Sequence, residues 1–153
     1  MINNKALNIS IGNNRKATKW ASSQMYWSEF IEKIKNPIRS IETLAEYLTY
    51  SKAQQDELKD VGGFVGGLLK DNRRHEKNVL SRDLIALDLD NIPAEGTNDV
   101  ILKIKGLGCA YAVYSTRKHE PVRPRLRVII PTDRPLTLDE YEPVARKIAE
   151  MIN

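Results

Sequence analysis

The order of periodic segments after residue 78 constrains this chain more than any single motif. Val79 to Asp90 reads as a strand that ends in Leu87-Asp88-Leu89-Asp90 and is closed by a turn at Asn91-Ile92-Pro93. Residues 98–105 follow as a short helix, with Val100, Ile101 and Ile104 on one face and Gly106 as its stop. Cys109 to Ser115 is an aromatic-rich strand. Pro121 and Pro124 then mark a basic turn, and Leu126, Val128 and Ile130 alternate with Arg125, Arg127 and Ile129 as a third strand. Thr137-Leu138-Asp139-Glu140 has the capping-box pattern. It opens a helix carrying Tyr141, Val144, Ala145, Ile148, Ala149 and Ile152, with Pro143 kinking its first turns. The succession β-α-β-β-α is a ferredoxin/RRM-like unit that stops where a fourth strand would begin. Either an N-terminal strand fills that place, or the sheet keeps an open edge that favours self-association.

The preceding residues read as an α/β extension. Residues 7–11 alternate as a short strand, and Trp27 to Ile34 form a short helix with Ser28 as a possible N-cap, stopped before Pro37. Residues 43–59 look helical but broken. The paired glycines of Val61-Gly62-Gly63-Phe64-Val65-Gly66-Gly67 indicate a strand or hairpin approached closely by another backbone or a ligand. The expected fold class is α+β, one domain over residues 1–153, with an N-terminal α/β extension (1–78) and an RRM-like half (79–153). A chain of 153 residues, 41% hydrophobic and 29% charged, suits that size and a soluble globular class. No apolar run is long enough to span a bilayer, and the start Met1-Ile2-Asn3-Asn4 has no signal-peptide pattern. The single Cys109 can form neither an internal disulfide nor a zinc-thiolate site. A reduced, cytoplasmic protein without membrane partners is expected.

Charge is mild overall, +4, but unevenly placed. Ser115 to Arg134 holds Arg117, Lys118, Arg123, Arg125, Arg127 and Arg134 against Glu120 and Asp133. Lys70 to Arg82 holds five basic residues against Asp71 and Glu76. Such concentration suits phosphate or nucleic-acid contact, or else two solvated loops.

Three elements can carry chemistry. Asp88 and Asp90, two residues apart at a strand end, leave the same face with stems about 7 Å apart. They can converge on one divalent cation or simply solvate a turn. His119 follows the next strand in Tyr114-Ser115-Thr116-Arg117-Lys118-His119. If the first two strands are neighbours, their carboxyl ends lie on one edge and His119 comes within reach of the carboxylates, to complete a metal site or touch a phosphate. Arg125 and Arg127 share one strand face, where guanidinium forks suit a triphosphate or a nucleic-acid backbone, or form a solvated basic face. His75, between Arg74 and Glu76, reads as a surface residue.

Asp-x-Asp at a strand end, then Tyr-Ser-Thr-x-x-His, then Arg-Pro-Arg-x-Arg before Ile-Pro, resembles the archaeo-eukaryotic primase superfamily. Within it the chain is most similar to the N-terminal primase-like domain of phage and genomic-island primase–helicase proteins, including the virulence-associated E group. Asn14-Arg15-Lys16, Lys19-Trp20, Trp27-Ser28-Glu29-Phe30, Lys52-Ala53-Gln54-Gln55-Asp56 and the glycine pairs also resemble that group, so the likeness covers nearly the whole chain. It implies that Asp88 and Asp90 bind catalytic Mg²⁺ or Mn²⁺ and that His119 contacts nucleotide phosphates or the metal. Ser115, Arg117, Arg125 and Arg127 would line the nucleotide site. The implied chemistry is nucleotidyl transfer, with metal stabilising the attacking and leaving oxygens. The family's third acidic residue belongs to a later strand, beyond residue 153. The resemblance therefore implies a truncated primase-like domain that does not polymerise alone.

The resulting expectation is a phage or mobile-element protein that binds a metal together with nucleotide, nucleic acid or a nucleoprotein. One alternative is a fragment of an active DNA primase-polymerase. Another is a stand-alone inhibitor, such as an anti-CRISPR protein blocking a Cas effector, in which Zn²⁺ suits the Asp88, Asp90 and His119 set as well as Mg²⁺ or Mn²⁺. A third is a basic single-strand binder stacking bases near Tyr111 and Tyr114. Alternation puts those tyrosines on opposite strand faces, which disfavours a stacking platform.

Overall fold

A computed structural model describes residues 4–152; the Met1–Asn3 start read above and Asn153 lie outside the described residues. The elements run β1 (Ala6–Gly12), β2 (Ala21–Tyr26), α1 (Trp27–Lys35), α2 (Leu44–Thr49), α3 (Lys52–Leu58), β3 (Gly63–Val65), β4 (Arg82–Leu89), α4 (Thr97–Gly106), β5 (Ala112–Ser115), β6 (Leu126–Leu136) and α5 (Leu138–Ile152). Short 3-10 turns occupy Lys70–Asn72 and Glu76–Asn78. The fold is α+β. Its strands form two antiparallel three-stranded sheets, ordered β2-β1-β3 and β4-β6-β5. No helix among the described residues is long and apolar enough to cross a membrane.

The second sheet corrects one expectation. β4 and β5 are not neighbours, because β6 pairs with both and lies between them. This is the split arrangement of the ferredoxin-like unit, in which the third strand enters between the two parallel ones. The carboxyl ends of β4 and β5 still point the same way, since both run antiparallel to β6. Three strand boundaries also move. β4 begins at Arg82, with Val79 bridging to Leu69 instead, β5 begins at Ala112 rather than Cys109, and β6 continues through Pro131 to Leu136.

Alternation along these strands buries both faces of the sheet. Ile85, Leu126, Val128 and Ile130 pack with Val100 and Ile104 of α4 and Ile152 of α5. From the opposite face, Leu84 and Ile129 pack with Leu7 and Ile9 of β1 and Trp27 and Phe30 of α1. The Phe30 ring stacks on Trp27 at 5.7 Å and meets Phe64 edge-on at 5.0 Å. The N-terminal half therefore completes its core with side chains from the C-terminal sheet.

The free edge of β4 is met by the N-terminal half. Asp83 and Leu84 donate their backbone N–H to the Gly66 carbonyl, and Leu80 donates to Leu68. The buried Asp83 carboxylate accepts from the backbone N–H and side-chain amide of Asn8, both at 3.0 Å. As the paired glycines imply, backbones approach closely here. A Cβ on Gly67 would stand 1.9 Å from the Ser81 carbonyl oxygen, and one on Gly66 2.4 Å from the Leu84 Cβ.

Local capping sets the helices. Tyr26, not Ser28, is the α1 N-cap, and its N–H donates to Glu29 at 2.7 Å while the Ser28 N–H donates to Asn4. The broken helix of 43–59 resolves into α2 and α3, each with its own capping box, Thr43 with Glu46 and Ser51 with Gln54. β2 had no clear sequence signal. Its Ser22, Ser23 and Gln24 lie on an edge strand that buries little.

Candidate phosphate-binding cleft

The face of β4-β6-β5 that meets the N-terminal half is apolar at Leu84 and Ile129 and charged toward the carboxyl ends of β4 and β5. Antiparallel register puts Tyr114, Arg127 and Asp88 in one row across the sheet. Arg127 donates to both Asp88 oxygens, at 2.6 and 2.8 Å, the bidentate fork expected of guanidinium on carboxylate. The bond to Asp88 holds the Arg127 proton more tightly than usual, outweighing burial, and Tyr114 adds to the effect. One row further, Arg125 stands 3.5 Å from Asp90.

The β5–β6 turn folds back on Arg125. The Thr116 N–H donates to the Arg125 carbonyl at 3.0 Å, and the His119 N–H donates to the Thr116 carbonyl at 2.9 Å. His119 Nδ1 lies 3.1 Å from the Arg125 backbone nitrogen and 3.2 Å from its carbonyl oxygen, so the Arg125 backbone holds the ring at the cleft in either tautomer.

Arg117 reaches the N-terminal half. It pairs with the Glu42 carboxylate, bonds the Ser40 hydroxyl, and lies 4.3 Å from the centre of the Tyr47 ring. Lys118 approaches the same ring at 5.6 Å. Partial desolvation lowers the Lys118 pKa, and positive charge on Lys59, Lys52, Arg125 and Arg123 lowers it further. Burial pushes the Tyr47 hydroxyl pKa up, and that hydroxyl donates to the Gln55 carbonyl at 3.3 Å.

Between these parts lies a cleft of about 720 Å³. Lys33, Arg39, Ser40, Glu42, Tyr47 and Lys59 line it from the N-terminal half, and Tyr114, Ser115, Thr116, Arg117, His119 and Arg127 from the sheet. Five basic side chains face one carboxylate there, and that carboxylate, Glu42, is already paired. Such a lining can hold a phosphate-bearing ligand through charge-assisted bonds from guanidinium and ammonium groups, with hydroxyls at Ser40, Thr43, Ser115 and Thr116.

Four residues singled out from sequence, Ser115, Arg117, His119 and Arg127, thus meet in this cleft. Arg125 stands behind it, bonded to His119. Asp88 and Asp90 line a different cleft of about 770 Å³, together with Glu95, Asp99, Lys103, Arg146 and Glu150. Among the described residues no three His, Cys, Asp or Glu side chains gather as a metal-binding group. As they stand, Asp88 pairs with Arg127, Asp90 with Arg125, and His119 contacts the Arg125 backbone. Sequence reading missed Arg39, Glu42, Tyr47 and Lys59. Nothing in their local pattern marks them, because packing of the two halves brings them to the site.

The family model described as VapE N-terminal domain matches residues 1–153. No curated protein and no solved structure matches the chain.

Proposed function

The chain belongs to the VapE N-terminal domain family, a family of phage and mobile-element proteins, and from that premise we propose that its basic cleft binds a phosphate-bearing ligand, a nucleotide or the end of a nucleic-acid strand. One observation carries the reading: Arg117, His119 and Arg127 of the sheet share a 720 Å³ cleft with Arg39 and Lys59 of the other half. Arg39 and Lys33 line the cleft alongside Arg117, Arg127 and Lys59, whose carboxylate partners Glu42, Asp88 and Asp56 an incoming anion would have to compete with. The resemblance to primases supports the same assignment, since of its nucleotide-site positions Ser115, Arg117, His119 and Arg127 line this wall, while Arg125 stands behind it.

The test is calorimetric titration of a nucleoside triphosphate, and separately of inorganic triphosphate, into the wild-type chain and Arg39→Ala, Arg117→Ala and His119→Ala. A charge-assisted hydrogen bond is worth about 1.5–3 kcal/mol. Each arginine variant should therefore bind about tenfold more weakly or worse, with the thermal midpoint tracking fold. Absence of binding by the wild type, or equal binding by all variants, overturns the reading.

A divalent cation at Asp88 and Asp90 is a second, separate reading, favoured by two half-exposed carboxylates leaving one face of β4. Mg²⁺ or Mn²⁺ follows from the primase resemblance and Zn²⁺ from a non-catalytic scaffold. It requires Arg127 to leave Asp88. Native mass spectrometry with each ion, on wild type beside Asp88→Ala, decides it. A stoichiometric ion that disappears in the variant supports the reading, and an ion-free wild type removes it.

A further inference from the structure

Two basic segments far apart in sequence are fastened into one surface. The Trp20 N–H donates to the Asn72 carbonyl at 2.7 Å and the Arg74 N–H to the Thr18 carbonyl at 2.9 Å, flanking a β-bridge between Lys19 and Arg73. The Arg74 guanidinium donates to the Arg15 carbonyl at 3.1 Å and lies 4.6 Å from the centre of the Trp20 ring, which is itself only 4% exposed. A buried tryptophan, packed with Leu69 and Val79, thus anchors a clasp of residues 15–20 against 70–77.

The outside of the clasp carries Lys16, Lys19, Lys70, Arg73, Arg74 and Lys77, all exposed, against Asp71 and Glu76. Among the described residues none of these six is in an ion pair. Arg15 differs: it pairs with Asp56 and Asp60, which ties the clasp to α3 beside Lys59 of the cleft. Within residues 13–20 and 70–77 no large apolar side chain is exposed. A protein partner would need such an anchor, and base stacking would need an exposed ring. What remains is an exposed array of cations without carboxylate partners, held in place by backbone hydrogen bonds, which suits repeated backbone phosphates rather than base edges.

We infer that the clasp is a second, sequence-independent docking surface for a nucleic-acid backbone, distinct from the cleft and independent of the ligand the cleft takes. The test is fluorescence anisotropy with a mixed-sequence 20-nucleotide DNA strand and the matching duplex. It compares wild type, the triple variant Lys19→Ala/Arg73→Ala/Lys77→Ala, and Arg117→Ala, from about 50 to 200 mM salt. Removing one phosphate-binding cation should lower the salt slope by roughly 1. The triple variant should therefore bind DNA at least tenfold more weakly at low salt, with a slope shallower by about 2–3. A pair of reversals that leave the clasp bonds alone, Lys16→Glu with Lys70→Glu, should act in the same direction. Nucleoside triphosphate binding should be unchanged in both clasp variants, so failure of the wild type to bind triphosphate would remove the cleft reading and leave this one standing. Wild-type affinity and slope in the clasp variants, or no DNA binding by the wild type, overturns the inference. So does competition by polyglutamate as strong as by DNA, which would assign the surface to an acidic protein.

Discussion

The two halves of the molecule reach order by different means. The sheet β4-β6-β5 is organised by alternation: every second residue of β4 and β6 faces α4 and α5, and that core closes within the C-terminal half. The N-terminal half relies on close approach. Gly66 and Gly67 let its backbone lie against Leu84 and Ser81, Gly12 leaves room for Trp20, and its core is completed by Leu84 and Ile129 from the other sheet. Function follows from the contrast. One half presents a row of charged side chains on a regular strand end, and the other lays loops and short helices over it to make a cleft.

The contrast breaks most severely if the shared core is cut. Ile129 is fully buried between β1 and the C-terminal sheet. Ile129→Ala should cost about 3 kcal/mol or more. Both tryptophans lie in the N-terminal half. Their fluorescence transition in denaturant should therefore coincide with loss of far-UV dichroism in wild type and separate from it in the variant. Next in size is Gly67→Ala, whose Cβ would meet the Ser81 carbonyl at 1.9 Å. Urea titration should show a loss of about 2–3 kcal/mol, as for overpacking elsewhere.

A smaller change sharpens the account of the cleft. Glu42 competes with any anion for Arg117, and its side chain is only 7% exposed. Glu42→Gln should raise triphosphate affinity by about fivefold, roughly 1 kcal/mol, read by calorimetry. The smallest effect concerns the C-terminal half alone. Hydrogen bonds from Arg134, and from the Thr137 N–H that caps α5, hold the Glu140 carboxyl at about 2, below its ordinary 4.5. A carboxylate depressed in the folded state stabilises above its unfolded pKa, and that contribution fades as pH falls from about 4.5 toward 2. Acid denaturation followed by dichroism should be less steep over this window in Glu140→Gln.

How much was legible depended on whether the cause was local. β1, β4, β6, α4 and α5 follow from period and caps, and Asp88 with Asp90, like Arg125 with Arg127, could be assigned to shared faces. That these two pairs face each other depends on β6 entering between β4 and β5, a register that no local pattern carries. The assumption that β4 and β5 are neighbours placed His119 beside the carboxylates, whereas the backbone of Arg125 holds it at the cleft. β2 escaped notice because a polar edge strand needs only one partner and no buried face. The glycine pairs signalled a close approach without naming Ser81 and Leu84 as what approaches.

On the proposed reading one phosphate-bearing ligand touches both halves at once, and amide chemical-shift mapping during titration with a nucleoside triphosphate shows which residues it touches. The account predicts saturable shifts at residues 115–119 of the sheet together with residues 39–47 of the N-terminal half. Shifts confined to residues 88–99 around the acidic cleft, or to one half alone, would contradict it.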